Sequence, residues 1–378
     1  MAGVYIHIPY CKKICSYCDF YKTILPSDHS GFLEALKREA ETRRTYLSAE
    51  TVGTIYFGGG TPSVLRASEF SEIISYLSSF YNLAGDPEIT VEVNPDDVNP
   101  DYMKELHDTG INRVSIGVQS WNNRELKLLN RRHDAAGAEK AIRDTLAAGF
   151  TNIAIDLIYG LPGMKTADWE KNLDKTFQFD INHLSAYHLT IEPGTEFGRM
   201  KAKGTLEEPD EEESVNQFSL LIEKAEQAGF IHYEISNFGK EGYFSLHNSN
   251  YWKQVNYLGL GPSAHSFNGY SRQWNMKDTA EYIRRIMNDL PCFEIEDLDL
   301  RTRFNEYIMT SLRTMWGIDL EYVEQVFDKE GYDYILNMAG KFRQYGLMRH
   351  DKKNLVLTDQ GKMISDNIIA EFMMTGKD

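Results

Sequence analysis

Apolar positions along the chain follow two alternating rhythms. Short runs rich in β-branched and apolar residues recur at GVYIHIP from Gly3, TVGTIYFGGG from Thr51, EITVEVNP from Glu88, RVSIGVQS from Arg113, NIAIDLIYG from Asn152 and HLSAYHLTI from His183. Between them lie stretches such as GFLEALKREAETRRTYL and AAGAEKAIRDTLAAGF, whose apolar residues recur at helical spacing. Strand alternating with helix predicts a parallel sheet with right-handed crossovers. The expected fold class is α/β: a partial (β/α)6 TIM-like barrel over residues 1–235.

Several of these runs end in residues ill-suited to a buried interior: Gly58-Gly59-Gly60-Thr61-Pro62, Glu92-Val93-Asn94-Pro95, Gln119 and Asp156. A parallel βα barrel gathers its ligands from the loops that follow the strand C-termini, so this pattern predicts one shared site. Taken singly, GGG-TP is an ordinary turn and a strand-end acid an ordinary helix cap. The run LEEPDEEE, from Leu206 to Glu213, reads as a solvated loop whose acids open the next helix and favour its dipole.

From residue 236 to 297 the pattern breaks into a long excursion rich in Gly, Asn and aromatics. From 298 to 378 it becomes helical again, with a hairpin-like LMRHDKKNLVLT before a final helix, an order that resembles a winged helix. That last region holds 11 Lys and Arg against 13 Asp and Glu, without the positive stripe that DNA requires. It reads as a packing or partner-docking domain.

Charge and composition narrow the function. A formal net charge of -16 leaves no basic excess for phosphates, which argues against nucleic acid and anionic lipid surfaces. No apolar stretch is long enough to predict a transmembrane segment, and the first residues lack a signal-peptide pattern, so the expected location is the cytoplasm. Three of the four cysteines crowd into Cys11-x3-Cys15-x2-Cys18, and a reducing compartment favours metal ligation for such a group. Cys292 stands alone and reads as a core thiol.

A cubane held entirely by protein needs four thiolates, and this loop offers three. The missing ligand leaves one iron open to the amino and carboxylate groups of a small molecule, and such a site can pass one electron into a bound sulfonium. The competing reading is zinc, with His7 or His29 closing a tetrahedron.

The segment YIHIPYCKKICSYCDF resembles the signature of the radical-SAM superfamily. More narrowly it is similar to the branch containing oxygen-independent coproporphyrinogen III dehydrogenases and HemW-type heme chaperones. GGGTPS, EVNP, GVQS, LNRRH, DLIYGLPG and HNSNYW follow in the branch's order, covering almost the whole chain. The resemblance implies that Cys11, Cys15 and Cys18 hold a [4Fe-4S] cluster and that S-adenosylmethionine (SAM) occupies the open iron. It implies that Tyr5 and Tyr17 line the SAM pocket, that Gly59, Gly60 and Thr61 let backbone approach the methionine end, and that Glu92, Gln119, Arg131 and Asp156 make polar contacts.

Two departures separate the chain from the dehydrogenases. Phe20 stands where they carry a fourth cysteine, and the first strand begins almost at Met1, where they carry an N-terminal extension. Conversely, His247-Asn248-Ser249-Asn250-Tyr251-Trp252 is similar to the HNxxYW motif of the HemW-type chaperones. That likeness implies heme binding at His247, with Tyr251 and Trp252 packing on the porphyrin. His265 and His232 are the other histidine candidates. The expected function is a heme chaperone delivering heme to acceptor hemoproteins, extending to the inner face of a membrane and including a homodimer among its expected states. The alternative is oxidative decarboxylation of coproporphyrinogen III. Radical chemistry on an unrelated substrate is a third reading.

Overall fold

The structure, a computed structural model, describes residues 1–375. Six parallel strands neighbour one another in chain order: β1 (Ala2–Ile8), β2 (Val52–Gly59), β3 (Leu83–Val93), β4 (Arg113–Gln119), β5 (Ile153–Tyr159) and β6 (His183–His188). Helices Ser30–Thr42, Ala67–Phe80, Pro100–Asp108, Ala135–Ala147 and Thr166–Thr176 fill the crossovers. The elements sit where the two rhythms predict them.

Strand periodicity decides what the barrel encloses. On β4, Val114, Ile116 and Val118 are fully buried in the core, while Arg113, Ser115, Gly117 and Gln119 line a central cavity. The same parity holds for Ala154, Asp156 and Ile158 on β5 and for His183, Ser185 and Tyr187 on β6. Successive side chains of a strand face opposite sides, so one sequence builds an apolar outer layer and a polar interior together.

The segment from 236 to 297 completes this sheet. Asn237–Gly239 pairs antiparallel with β6, and Tyr257–Leu260 pairs parallel with β1 at the other edge. His265–Phe267, Ser271–Asn275 and Phe293–Asp297 extend that edge antiparallel, giving twelve strands in one sheet among the described residues. Leu258, Leu260, Tyr282 and Cys292 belong to the barrel's core. Cys292 is a buried free thiol, pushed up to about 12 by burial.

A second core, built on Phe304, Ile308, Leu312, Val323, Ile335 and Phe372, organises the C-terminal unit. Helices Leu300–Leu312 and Leu320–Gln344 flank a small sheet of Ile318–Asp319, Asn354–Leu357 and Met348–Asp351, the winged-helix order. The longer helix breaks at Phe327 and Asp328, where Asp328 takes φ +59° and its carboxylate accepts the Glu330 N–H at 2.7 Å. The unit joins the barrel through backbone: Ile235 N–H donates to Arg313 at 3.0 Å and Met315 N–H to Tyr233 at 2.9 Å. Glu211, Glu212 and Glu213 open helix Glu211–Gln227, the placement read from the acidic run. Among the described residues no helix is long and apolar enough to cross a membrane.

Candidate functional site

The cysteine loop leaves the C-terminal end of β1 and is pinned at both ends. Tyr10–Cys11 pairs with Thr23–Ile24, and inside the loop Ser16 N–H donates to Leu129 at 3.1 Å while Asn130 Nδ2 donates to Ile14 at 2.8 Å. Cys11, Cys15 and Cys18 are free thiols that all line the barrel cavity, a space of about 490 Å³. Thr61 Oγ1 donates to Cys11 Sγ at 3.3 Å, and Arg131 Nη1 to Cys15 Sγ at 3.5 Å. Burial pushes the Cys11 and Cys18 thiols up, so a cation is what their thiolates require.

Gly59, Gly60 and Thr61 line the same cavity. The glycines are required first by the protein's own packing. Gly59 has φ +108°, and a Cβ there would lie 2.6 Å from the His7 ring; a Cβ on Gly60 would lie 2.9 Å from the carbonyls of Ile8 and Tyr10. Their absence lets the end of β2 close against the root of the cysteine loop.

Further round the barrel, Glu92 accepts from Tyr56 Oη at 2.8 Å, and Asp156 accepts from Ser115 Oγ at 2.9 Å. Burial first, then each other's proximity in the case of Glu92, pushes Glu92 up to about 7; burial pushes Asp156 up to about 6. Gln119 adopts φ +67° where β4 shifts register against β5, a bulge that re-aims its side chain. Arg131 Nη2 donates to Gly117 O at 2.8 Å and to Asn94 Oδ1, and Asn94 Nδ2 donates to Thr61 at 3.2 Å. Tyr17 completes this rim.

Four residues lining the cavity keep a buried polar atom without a protein partner: Thr90 Oγ1, Arg113 Nη2, His183 Nδ1 and Arg131 Nε. Buried polar atoms in native proteins are nearly always paired, so a concentration of open ones marks a place that a polar ligand fills. Three thiols, two carboxylates and a guanidinium with a free N–H around one space fit a metal cluster and a zwitterionic ligand. Among the described residues no three His, Cys, Asp or Glu side chains converge on a single-ion site. Neither His7 nor His29 lines the cavity with the cysteines: His7 Nε2 bonds Tyr21 O at 2.9 Å and His29 Nε2 bonds Glu69 at 3.0 Å.

Two expected residues sit elsewhere. Tyr5 does not line the cavity; it lies behind Tyr56, ring centroids 6.1 Å apart, and its hydroxyl bonds His7 Nδ1 at 3.1 Å. His247 is 2% exposed, with Nδ1 bonded to Thr54 Oγ1 at 2.8 Å and Nε2 to Tyr251 Oη at 2.9 Å. Both ring nitrogens are hydrogen-bonded in the ligand-free protein, and through them the ring fastens helix Leu246–Trp252 to β2. Glu88 caps that helix, accepting the N–H groups of Leu246 and His247 at 3.1 and 2.9 Å. His232 stacks on Phe238 at 4.2 Å, and His265 is exposed outside the cavity.

Asn94, Arg113, Thr90 and His183 join the cavity without having been singled out from the sequence. Asn94 lay within a flagged strand end. Arg113 and His183 carry a subtler signal, since each opens a strand with the parity of a later inward residue, Gln119 and Tyr187.

The model of the Radical SAM superfamily matches residues 5–176, and the HemN C-terminal domain matches 298–364. Over 377 residues the chain is 33% identical to "Heme chaperone HemW" of Mycobacterium tuberculosis, covering 98% of this chain and 94% of that one. The chain belongs to the HemW family. The HemW proteins of Bacillus subtilis and of Lactococcus lactis subsp. lactis are each 30% identical, covering 99% and 98% of this chain and 99% and 97% of theirs. The structure of coproporphyrinogen III oxidase (HemN) from Escherichia coli superposes with a TM-score of 0.85 at 24% identity, over 99% of this chain and 90% of that one, which establishes a shared fold for the HemW chain.

Proposed function

We propose that the protein is a heme chaperone on a radical-SAM scaffold, binding heme and delivering it to acceptor hemoproteins in the cytoplasm and at the inner face of its membrane. The observation that carries this reading is the likeness, over 98% of the chain, to proteins named heme chaperone. Phe20 adds to it: the position of the dehydrogenases' fourth cysteine is here a phenyl ring, 69% exposed at the cavity mouth.

In this reading Cys11, Cys15 and Cys18 would hold a [4Fe-4S] cluster, with SAM bound beside it in the same cavity. Cluster and SAM together supply one-electron reduction of a sulfonium. Arg131, with Nε open, pairs a carboxylate; Glu92 and Asp156 accept from an ammonium and from ribose hydroxyls. Gln119 and Tyr17 close the rim, and the glycines leave backbone exposed to the methionine end. Tyr5 and His247 act from behind, holding Tyr56 and the motif helix in position.

The test is a heme titration of anaerobically reconstituted protein, followed by mixing with apomyoglobin as a probe acceptor and, on the same sample, an assay of coproporphyrinogen III conversion. Stoichiometric heme binding and transfer without conversion supports the chaperone. Conversion without stable heme binding makes it an enzyme. Iron and sulfide analysis of Cys11→Ala, Cys15→Ala and Cys18→Ala tests the cluster separately, with loss of cluster expected in each.

A further inference from the structure

A second cavity, of about 580 Å³, lies between the barrel and the C-terminal unit. It is bounded by the C-terminal end of helix Leu246–Trp252, the turn around Tyr270, helix Leu300–Leu312 and the turn at Trp316. Trp252, Tyr307, Trp316 and Tyr322 line it half-buried, and Tyr270 stands 72% exposed at the rim. A volume of this order takes a cofactor-sized ligand, and flat apolar rings suit a flat apolar one.

Its charges are lopsided in a chain that is acidic overall. Both acids lining the cleft are committed: Glu306 to Arg272 at 2.7 Å and Asp319 to Lys353 at 2.9 Å. Lys253 and Arg303, which also line it, have no carboxylate within ion-pair distance among the described residues. Instead Lys253 Nζ lies 4.2 Å from the centre of the Trp316 ring, and the Arg303 guanidinium 5.3 Å from that of Tyr270. Two uncompensated cations on aromatic platforms select a ligand that is planar, apolar and twice anionic.

We propose that this cleft is where the porphyrin sits, its faces against the aromatic walls and its two propionates on Lys253 and Arg303. The proposal rests on the heme reading above and gives it a location. Among the described residues no histidine, cysteine or methionine lines the cleft, and its tyrosines serve as ring walls, so the proposed grip is on the ring and its carboxylates and not on iron. A cargo held this way leaves without breaking an iron–imidazole bond. The same helix presents Asn248 to the barrel cavity and Trp252 to the cleft.

The test is titration of the reconstituted full-length protein with heme, metal-free protoporphyrin IX and its dimethyl ester, in wild type and in K253E/R303E. Heme and protoporphyrin IX are expected to compete with affinities within about threefold of one another, and the ester to bind about tenfold or more weakly. The double variant should weaken both diacids by about the same factor and leave the ester unchanged. Trp316→Ala, which removes a wall without altering charge, should weaken all three. Equal heme affinity in wild type and K253E/R303E overturns the placement, and heme binding that excludes metal-free porphyrin overturns the iron-independent grip. Wild-type protein that binds no porphyrin overturns the functional reading itself.

Discussion

Two buried polar clusters sit on the same sheet and are built to opposite ends. In the first, Glu39 is fully buried and its carboxylate accepts four groups: Arg43 at 3.3 Å, Asn275 at 2.7 Å, Gly261 N–H at 2.8 Å and Tyr282 at 2.6 Å. Arg43 places three further N–H groups on Gly259 O, Ser266 and Gln273. In the second, the barrel cavity, Thr90, Arg113, His183 and Arg131 each keep an open polar atom, and two carboxylates are pushed up by burial. In the first cluster the charged groups are paired, although Asn275 Oδ1 lacks a protein partner; a network whose charges are paired specifies structure, because each charge satisfies another. An open one stores unsatisfied capacity that a ligand completes. Burial and polarity alone do not distinguish the two; how fully the charged groups are paired does.

The comparison breaks most visibly at Glu39. Glu39→Ala leaves Arg43 buried without its counter-charge, and chemical denaturation should show a loss of about 3–5 kcal/mol. A loss below about 1 kcal/mol would mean that water relieves Arg43 and the network is not closed.

Next in size is His247→Ala, which removes two hydrogen bonds and leaves a void against β2; a loss of about 2–3 kcal/mol is expected in the same measurement. His247→Gln keeps an amide able to bond Thr54 and Tyr251 but offers iron no imidazole. Heme affinity per folded molecule should therefore survive in the Gln variant. Heme binding abolished equally by Ala and Gln would return the imidazole to the ligand role.

The third effect concerns the open cluster and has the opposite sign. Glu92 titrates at about 7 in the folded protein against an ordinary 4.5, so between those values the native state holds more protons than the unfolded one. Stability of the ligand-free protein should fall as pH rises through that window, by on the order of 3 kcal/mol from Glu92. Glu92→Gln should flatten the dependence and be as stable as wild type, or more so, at pH 8. Unchanged pH dependence in the variant would place the titration elsewhere.

Most of the barrel was legible because β1 to β6 are long enough to show apolar runs and their helices long enough to show a period. The cysteine loop was legible from spacing alone. Strand Tyr257–Leu260 escaped because four residues between polar neighbours carry no periodic signal; its place beside β1 is fixed by tertiary pairing. The packing of His247 was hidden for a related reason. Its sequence neighbours are aromatic, but the partners that settle its role include Thr54, from a strand distant in the chain. The Lys253 and Arg303 pair was invisible, since nothing in the sequence brings the end of one short helix to another helix fifty positions on.

The most direct test of the open-cluster account is SAM titration of anaerobically reconstituted wild type and Glu92→Gln, with thermal stability measured on the same preparations. The account predicts SAM affinity reduced about tenfold or more in the variant, with stability at pH 8 equal to or above that of wild type. Unchanged SAM affinity, or a loss of affinity that only accompanies unfolding, would contradict it.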